Sequence, residues 1–99
     1  MNNLKFSLEA RAGVEVLAPG FAGPVETECQ AIRVRNQGPD PITLTVGGQP
    51  FEVAAGRSWG FDTGRDTITI RQTIQARVPD TVGQLVLVER IYLTPWKPN

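Results

Sequence analysis

Any chemistry in this chain must run on carboxylates and hydroxyls, because it contains no histidine. That excludes His-based triads, Cys-His dyads and ordinary zinc or iron sites. The residues left to weigh lie in SWGFDTGRDTITI, residues 58–70, where Phe61 leads into Asp62, Thr63 and Gly64 and Asp66 follows Arg65. A calcium loop would need further oxygen ligands at fixed offsets and a closing carboxylate. Ser58, in GRSWG, lacks both a histidine base and a Gly-x-Ser-x-Gly elbow. The plainer reading of Asp62–Asp66 is a polar hairpin turn with Arg65 at its tip, and no catalytic residue, cofactor or metal ligand is expected.

Phe61-Asp62-Thr63-Gly64 nevertheless resembles the signature of retroviral-type aspartic proteases, and ITLTVGGQ upstream is similar to that family's strand and Gly-Gly turn. The resemblance implies Asp62 as half of a catalytic dyad. The rest of the chain departs from the family pattern. A single glycine, Gly83, follows Gly64, which leaves no flap, and FEVAAGRSWGF sets the Gly-Gly turn too far from the aspartate.

The elements that would position these residues read as strands. Ile42, Leu44 and Val46 alternate with small or polar neighbours, Gly47-Gly48 can take the positive φ of a tight hairpin, and Phe51 and Val53 share a face beyond it. Leu4, Phe6 and Leu8 alternate in the same way. Trp59 and Phe61 read as inward residues of one strand, and Ile68, Ile70, Ile74, Ala76 and Val78 as one face of the next. Residues 84–93 are apolar on both faces, which requires a central position in a sheet or a partner chain. Val25, Thr27, Cys29 and Ala31 are out of phase with Ile32 and Val34, so a bulge or a change of sheet is expected near Gln30–Ala31. With ten glycines, eight prolines and no sustained helical period, the expectation is one all-β domain over residues 1–99, a small β-sandwich or barrel with a jelly-roll or Greek-key path. Residues 13–24 read as an irregular loop or arm, and 94–99 as a Pro/Trp tail.

Ten basic and ten acidic residues cancel, so no field is expected to hold nucleic acid or anionic lipid. No apolar run is long enough for a membrane helix, and Glu9 interrupts what would be the core of an export signal. The single Cys29 reads as a small buried hydrophobe, which fits folding in a reducing cytoplasm.

Arginines outnumber lysines eight to two, a bias that protein interfaces share. Leu17 and Phe21, set among Gly and Pro, and Tyr92 and Trp96 near the C-terminus are the candidate apolar anchors; Arg33, Arg35, Arg71 and Arg77 are the candidate polar contacts. Residues 32–70, IRVRNQGPDPITLTVGGQPFEVAAGRSWGFDTGRDTITI, resemble small β-sandwich virion proteins of tailed bacteriophages, the capsid decoration or cement type. That resemblance implies a non-enzymatic protein, assembled in the host cytoplasm, that binds capsid or other virion subunits as a homo-oligomer on the virion. An alternative is a carbohydrate-binding module that stacks sugars on Trp59 or Trp96 and hydrogen-bonds them with the Thr/Arg/Gln face of 67–77.

Overall fold

The computed structural model describes residues 8–63 and 70–95. They form eight strands: β1 (Leu8–Leu17), β2 (Ala22–Val25), β3 (Ala31–Asn36), β4 (Ile42–Val46), β5 (Gln49–Val53), β6 (Ser58–Asp62), β7 (Ile74–Arg77) and β8 (Val86–Pro95). Among the described residues there is no helix. Two antiparallel four-stranded sheets result, ordered β1-β8-β3-β6 and β2-β7-β4-β5. Apart from the β4–β5 hairpin, the chain changes sheet at every connection, and this interleaving is the jelly-roll path of two nested Greek keys. The all-β reading is therefore correct, and the topology is the jelly-roll form of it.

Alternation places the core between the sheets. Val34, Val86 and Val88 come from one layer, and Ile42, Leu44, Ile74 and Ala76 from the other, all nearly inaccessible to solvent. Each larger side chain contributes about 1.5–3 kcal/mol by leaving water. The phase break near Gln30–Ala31 is a change of sheet: β2 ends at Val25 in one layer and β3 begins at Ala31 in the other. Cys29, on that crossing, is completely buried. The hairpin at 41–54 forms as the sequence indicates, with Gly47 at φ 58° and Gly48 at φ 86°. Those angles suit the twist of a two-residue turn and are strained for any residue with a Cβ.

Three readings need correction. Residues 13–24 are not an irregular arm: 13–17 are the second half of β1, 22–25 are β2, and only 18–21 turn between them. Gly13 does not break β1, because β8 supplies a continuous ladder through Gly13↔Arg90 to Leu17↔Val86. Second, β6 and β7 are not a hairpin. They lie in different sheets, so the chain after Asp62 crosses between layers; residues 64–69, with Gly64, Arg65 and Asp66, lie outside the described residues. Third, Phe61 stands opposite buried Ile32 but on the edge strand, and it is 47% exposed. Trp59 is half-buried and packs on Phe51 with ring centroids 5.9 Å apart. The expected strand at Leu4 and Phe6, and the tail from Trp96 onward, also lie outside the described residues.

The two ends of the sandwich differ. At one end a polar network ties three loops together. The Asn36 side-chain amide donates to the carbonyl oxygens of Asp40 (2.7 Å) and Val53 (2.9 Å), and its Oδ1 accepts from Gly38 N–H (2.9 Å) and Gln84 Nε2 (2.8 Å). Gln84 Oε1 accepts from Asp40 N–H, and the Thr81 hydroxyl donates to the Asp40 carboxylate. At the other end β3 stops at Ala31, opposite Ile91, while β1 and β8 continue as a two-stranded ribbon of Leu8–Arg11 against Tyr92–Pro95.

Candidate functional site

β8 is apolar on both faces, and among the described residues the chain covers one of them. β8 is central, flanked by β1 and β3. Its inward Val86 and Val88 enter the core, but no described element covers its outward face. Residues directly opposite in an antiparallel ladder share a face, so the registers define three outward rows. The first is Val16–Leu87–Arg35–Ser58, the second Val14–Glu89–Arg33–Gly60, the third Ala12–Ile91–Ala31–Asp62. Val14 and Val16 are 63% and 58% exposed, high for β-branched residues in a strand. Small residues at Ala12, Ala31 and Gly60 leave an open groove of about 600 Å³ across β1, β8, β3 and β6, with Phe61 at its margin.

Four of the twelve positions in these rows are charged: Arg33, Arg35, Glu89 and Asp62. Arg35 Nε pairs with Glu89 at 3.1 Å, with both side chains partly exposed. Arg33 is exposed and makes no hydrogen bond or ion pair among the described residues. Asp62 lies at the end of β6, exposed, on the rim of the same groove. A broad, open face that mixes valines with charged residues, one guanidinium of which is outside any pairing among the described residues, suits contact with another protein surface better than turnover of a small substrate.

Sequence reasoning missed Arg90. By register it points inward, and it is 7% exposed; its Nε donates to the Glu26 carbonyl (2.8 Å) and its Nη2 to Glu15 Oε1 (2.9 Å). These contacts lie 64 and 75 residues away in sequence, so no local pattern could signal them. Burial pushes the Cys29 thiol above its ordinary value of 9.0, against smaller opposing effects of the Arg90 charge and a backbone hydrogen bond from Ala31. Among the described residues, no three His, Cys, Asp or Glu side chains are grouped to hold a metal ion.

Among the described residues, the expected anchors do not gather into one site. Leu17 is core, 2% exposed at the end of β1, and is not available to a partner. Phe21 and Tyr92 are half-buried and pack against the core, Tyr92 beside Gly13. Trp96 lies outside the described residues. Of the arginines, Arg33 and Arg35 are on the outward face just described. Arg77 is on the outside of the opposite sheet, where it joins Thr43, Thr45 and Gln75 around a depression of about 410 Å³. Arg71 is exposed beside Glu26 and Glu28 before β7. The residues that sequence reasoning overlooked are Val14 and Val16, whose alternation was legible but lay within a segment read as loop.

No protein-family model matches the chain, and no curated protein matches it. Among solved structures, it is similar to the solution NMR structure of a de novo designed double-stranded beta-helix, with 19% sequence identity, a TM-score of 0.50, and coverage of 85% of this chain and 99% of that one. At that identity the likeness concerns the fold alone, and it agrees with the jelly-roll strand order.

Proposed function

We propose that this chain is a non-enzymatic structural protein that binds other protein subunits through the outward face of the β1-β8-β3-β6 sheet, as a capsid decoration or related component of a tailed-phage virion. The observation that carries the subunit-binding reading is the uncovered row system of Val14, Val16, Leu87 and Ile91 beside Arg33. The virion setting rests on the resemblance of residues 32–70. Many copies on a lattice give avidity, so a small face suffices where a single contact would be weak. Jelly rolls occur in viral coats and in lectins alike, so the fold itself favours neither.

The test is retention on tailed-phage capsids in co-sedimentation, wild type against Val14→Ser and Arg33→Ala. Binding that both variants weaken supports the reading; a chain that ignores capsids would sink the virion assignment. A second reading, sugar binding, is favoured by the Thr43/Thr45/Gln75/Arg77 depression. No aromatic ring lines that depression. Glycan-array hits lost in Arg77→Ala would favour it.

A further inference from the structure

Sheet edges are where a β protein is most exposed to pairing with another chain, and three of the four here are short. β2 has four residues and contains Pro24; β5 has five and contains Pro50; β6 has five. The fourth, β1, is ten residues long and contains neither proline nor lysine. Among the described residues nothing pairs with its outer edge. Its two most exposed apolar residues, Val14 and Val16, lie along that edge.

We propose that β1 pairs antiparallel with β1 of a second copy, about a two-fold axis at Gly13, joining two four-stranded sheets into one of eight strands. The choice of partner and register follows from charge. A two-fold axis normal to the sheet keeps each face on its own side, so the axis must pass through a residue. Centred on Ala12, Glu9 would face Glu15 of the partner subunit; centred on Arg11, that residue would face itself; centred on Val14, Glu15 would face Gly13 of the partner subunit. Centred on Gly13, Arg11 stands opposite Glu15 of the partner subunit, and symmetry makes the match twice. The outward positions then pair Val14 with Ala12, large against small. Glu15 holds Arg90 through one carboxylate oxygen and is half exposed, so its other oxygen remains for the new contact. Among the described residues, a Cβ at Gly13 would meet the Tyr92 ring at 3.6 Å, an ordinary contact, so the axis position tolerates a probe side chain.

The inference does not rest on the virion reading, since self-association and capsid retention are measured separately. Sedimentation equilibrium from low micromolar to near-millimolar concentration should show a mass rising from the 10.8 kDa chain towards twice that value. Arg11→Glu, which would set Glu against Glu15, and Val14→Lys should each weaken the dimer about 10-fold or more while circular dichroism stays unchanged. Gly13→Cys should oxidise to a covalent dimer, because residue 13 faces its own copy at a Cα separation of about 4.5–5.5 Å; Val16→Cys should not. The native Cys29 is fully buried and adds no background. A monomer at every concentration, a dimer indifferent to Arg11→Glu, or equal cross-linking at position 16 would each overturn the proposal.

Discussion

The loop end and the ribbon end of this sandwich handle polar groups in opposite ways. At the loop end, Asn36 and Gln84 are almost fully buried, and among the described residues no buried side-chain polar atom lacks a partner. The bonds there are short, mutual and confined to three loops. At the ribbon end, Arg90 is anchored by a backbone oxygen and a half-exposed carboxylate, and two strands run past the sheet that supported them. A two-stranded ribbon is marginal without further packing. The first end is closed by bonds within one chain, whereas at the second two strands continue beyond the end of β3.

The sharpest way to break this contrast is Asn36→Ala. It removes four hydrogen bonds and deprives the buried Gly38 N–H and the Val53 carbonyl of their side-chain partner, while Gln84 Nε2 keeps its bond to the Asp40 carbonyl (3.0 Å). We expect a loss of about 3 kcal/mol, seen as a lower urea midpoint with an unchanged slope. Arg90→Met should cost less, about 1–2 kcal/mol, because its partner Glu15 regains water and the methionine fills part of the space. An equal or larger loss at Arg90 would reverse the ranking of the two ends. Gly48→Ala should cost about 1 kcal/mol, since its positive φ is strained for alanine although nothing lies within 4 Å of the new Cβ. Val14→Ser should change stability by less than about 0.5 kcal/mol while weakening the proposed capsid retention, which separates binding from folding on the open face.

Cys29 gives a pH signature at the ribbon end. Its thiol is raised in the folded state, so the unfolded chain ionises first as pH climbs past 9.0. The unfolded state then binds fewer protons than the native state, and stability falls with rising pH. Below that range the contribution is fully present. Chemical denaturation between pH 8 and 10.5 should show this slope in the wild type and a flatter one in Cys29→Ala; identical slopes would contradict the assignment.

Much of the fold was legible because period-2 alternation is local. The β4–β5 hairpin followed from Gly47-Gly48; the parity shift around Cys29 allowed a bulge or a change of sheet, and the two apolar faces of β8 a central place or a partner chain, and the structure has the change of sheet and the central place. What misled was anything set at long range. Alternation on both sides of Asp62 cannot distinguish a hairpin from a crossover, because both need a polar corner between two strands. Residues 13–17 looked like loop because Gly13, Pro19 and Gly20 dominate their neighbourhood, while the partner that makes them a strand is β8. Of the expected contact residues, Arg33 and Arg35 lie on the outward face, whereas Leu17, set near glycines, is core. Leu17 is large because the core needs it, and Val14 and Val16 are exposed because β1 is an edge.

The β1–β8 ladder also bears on how the molecule forms. Its partners, from Leu17 with Val86 to Leu8 with Pro95, come from opposite extremes of the described chain. Closing that loop carries a large entropic cost before any contact rewards it, so this is a high-contact-order fold and a slow one. The strand at the heart of the larger sheet is the last to be synthesised among those described, and β1 and β3 must wait for it. Until it docks, the two strands that flank it are unpaired edges, and the nascent protein is most adhesive where the finished one keeps its open face.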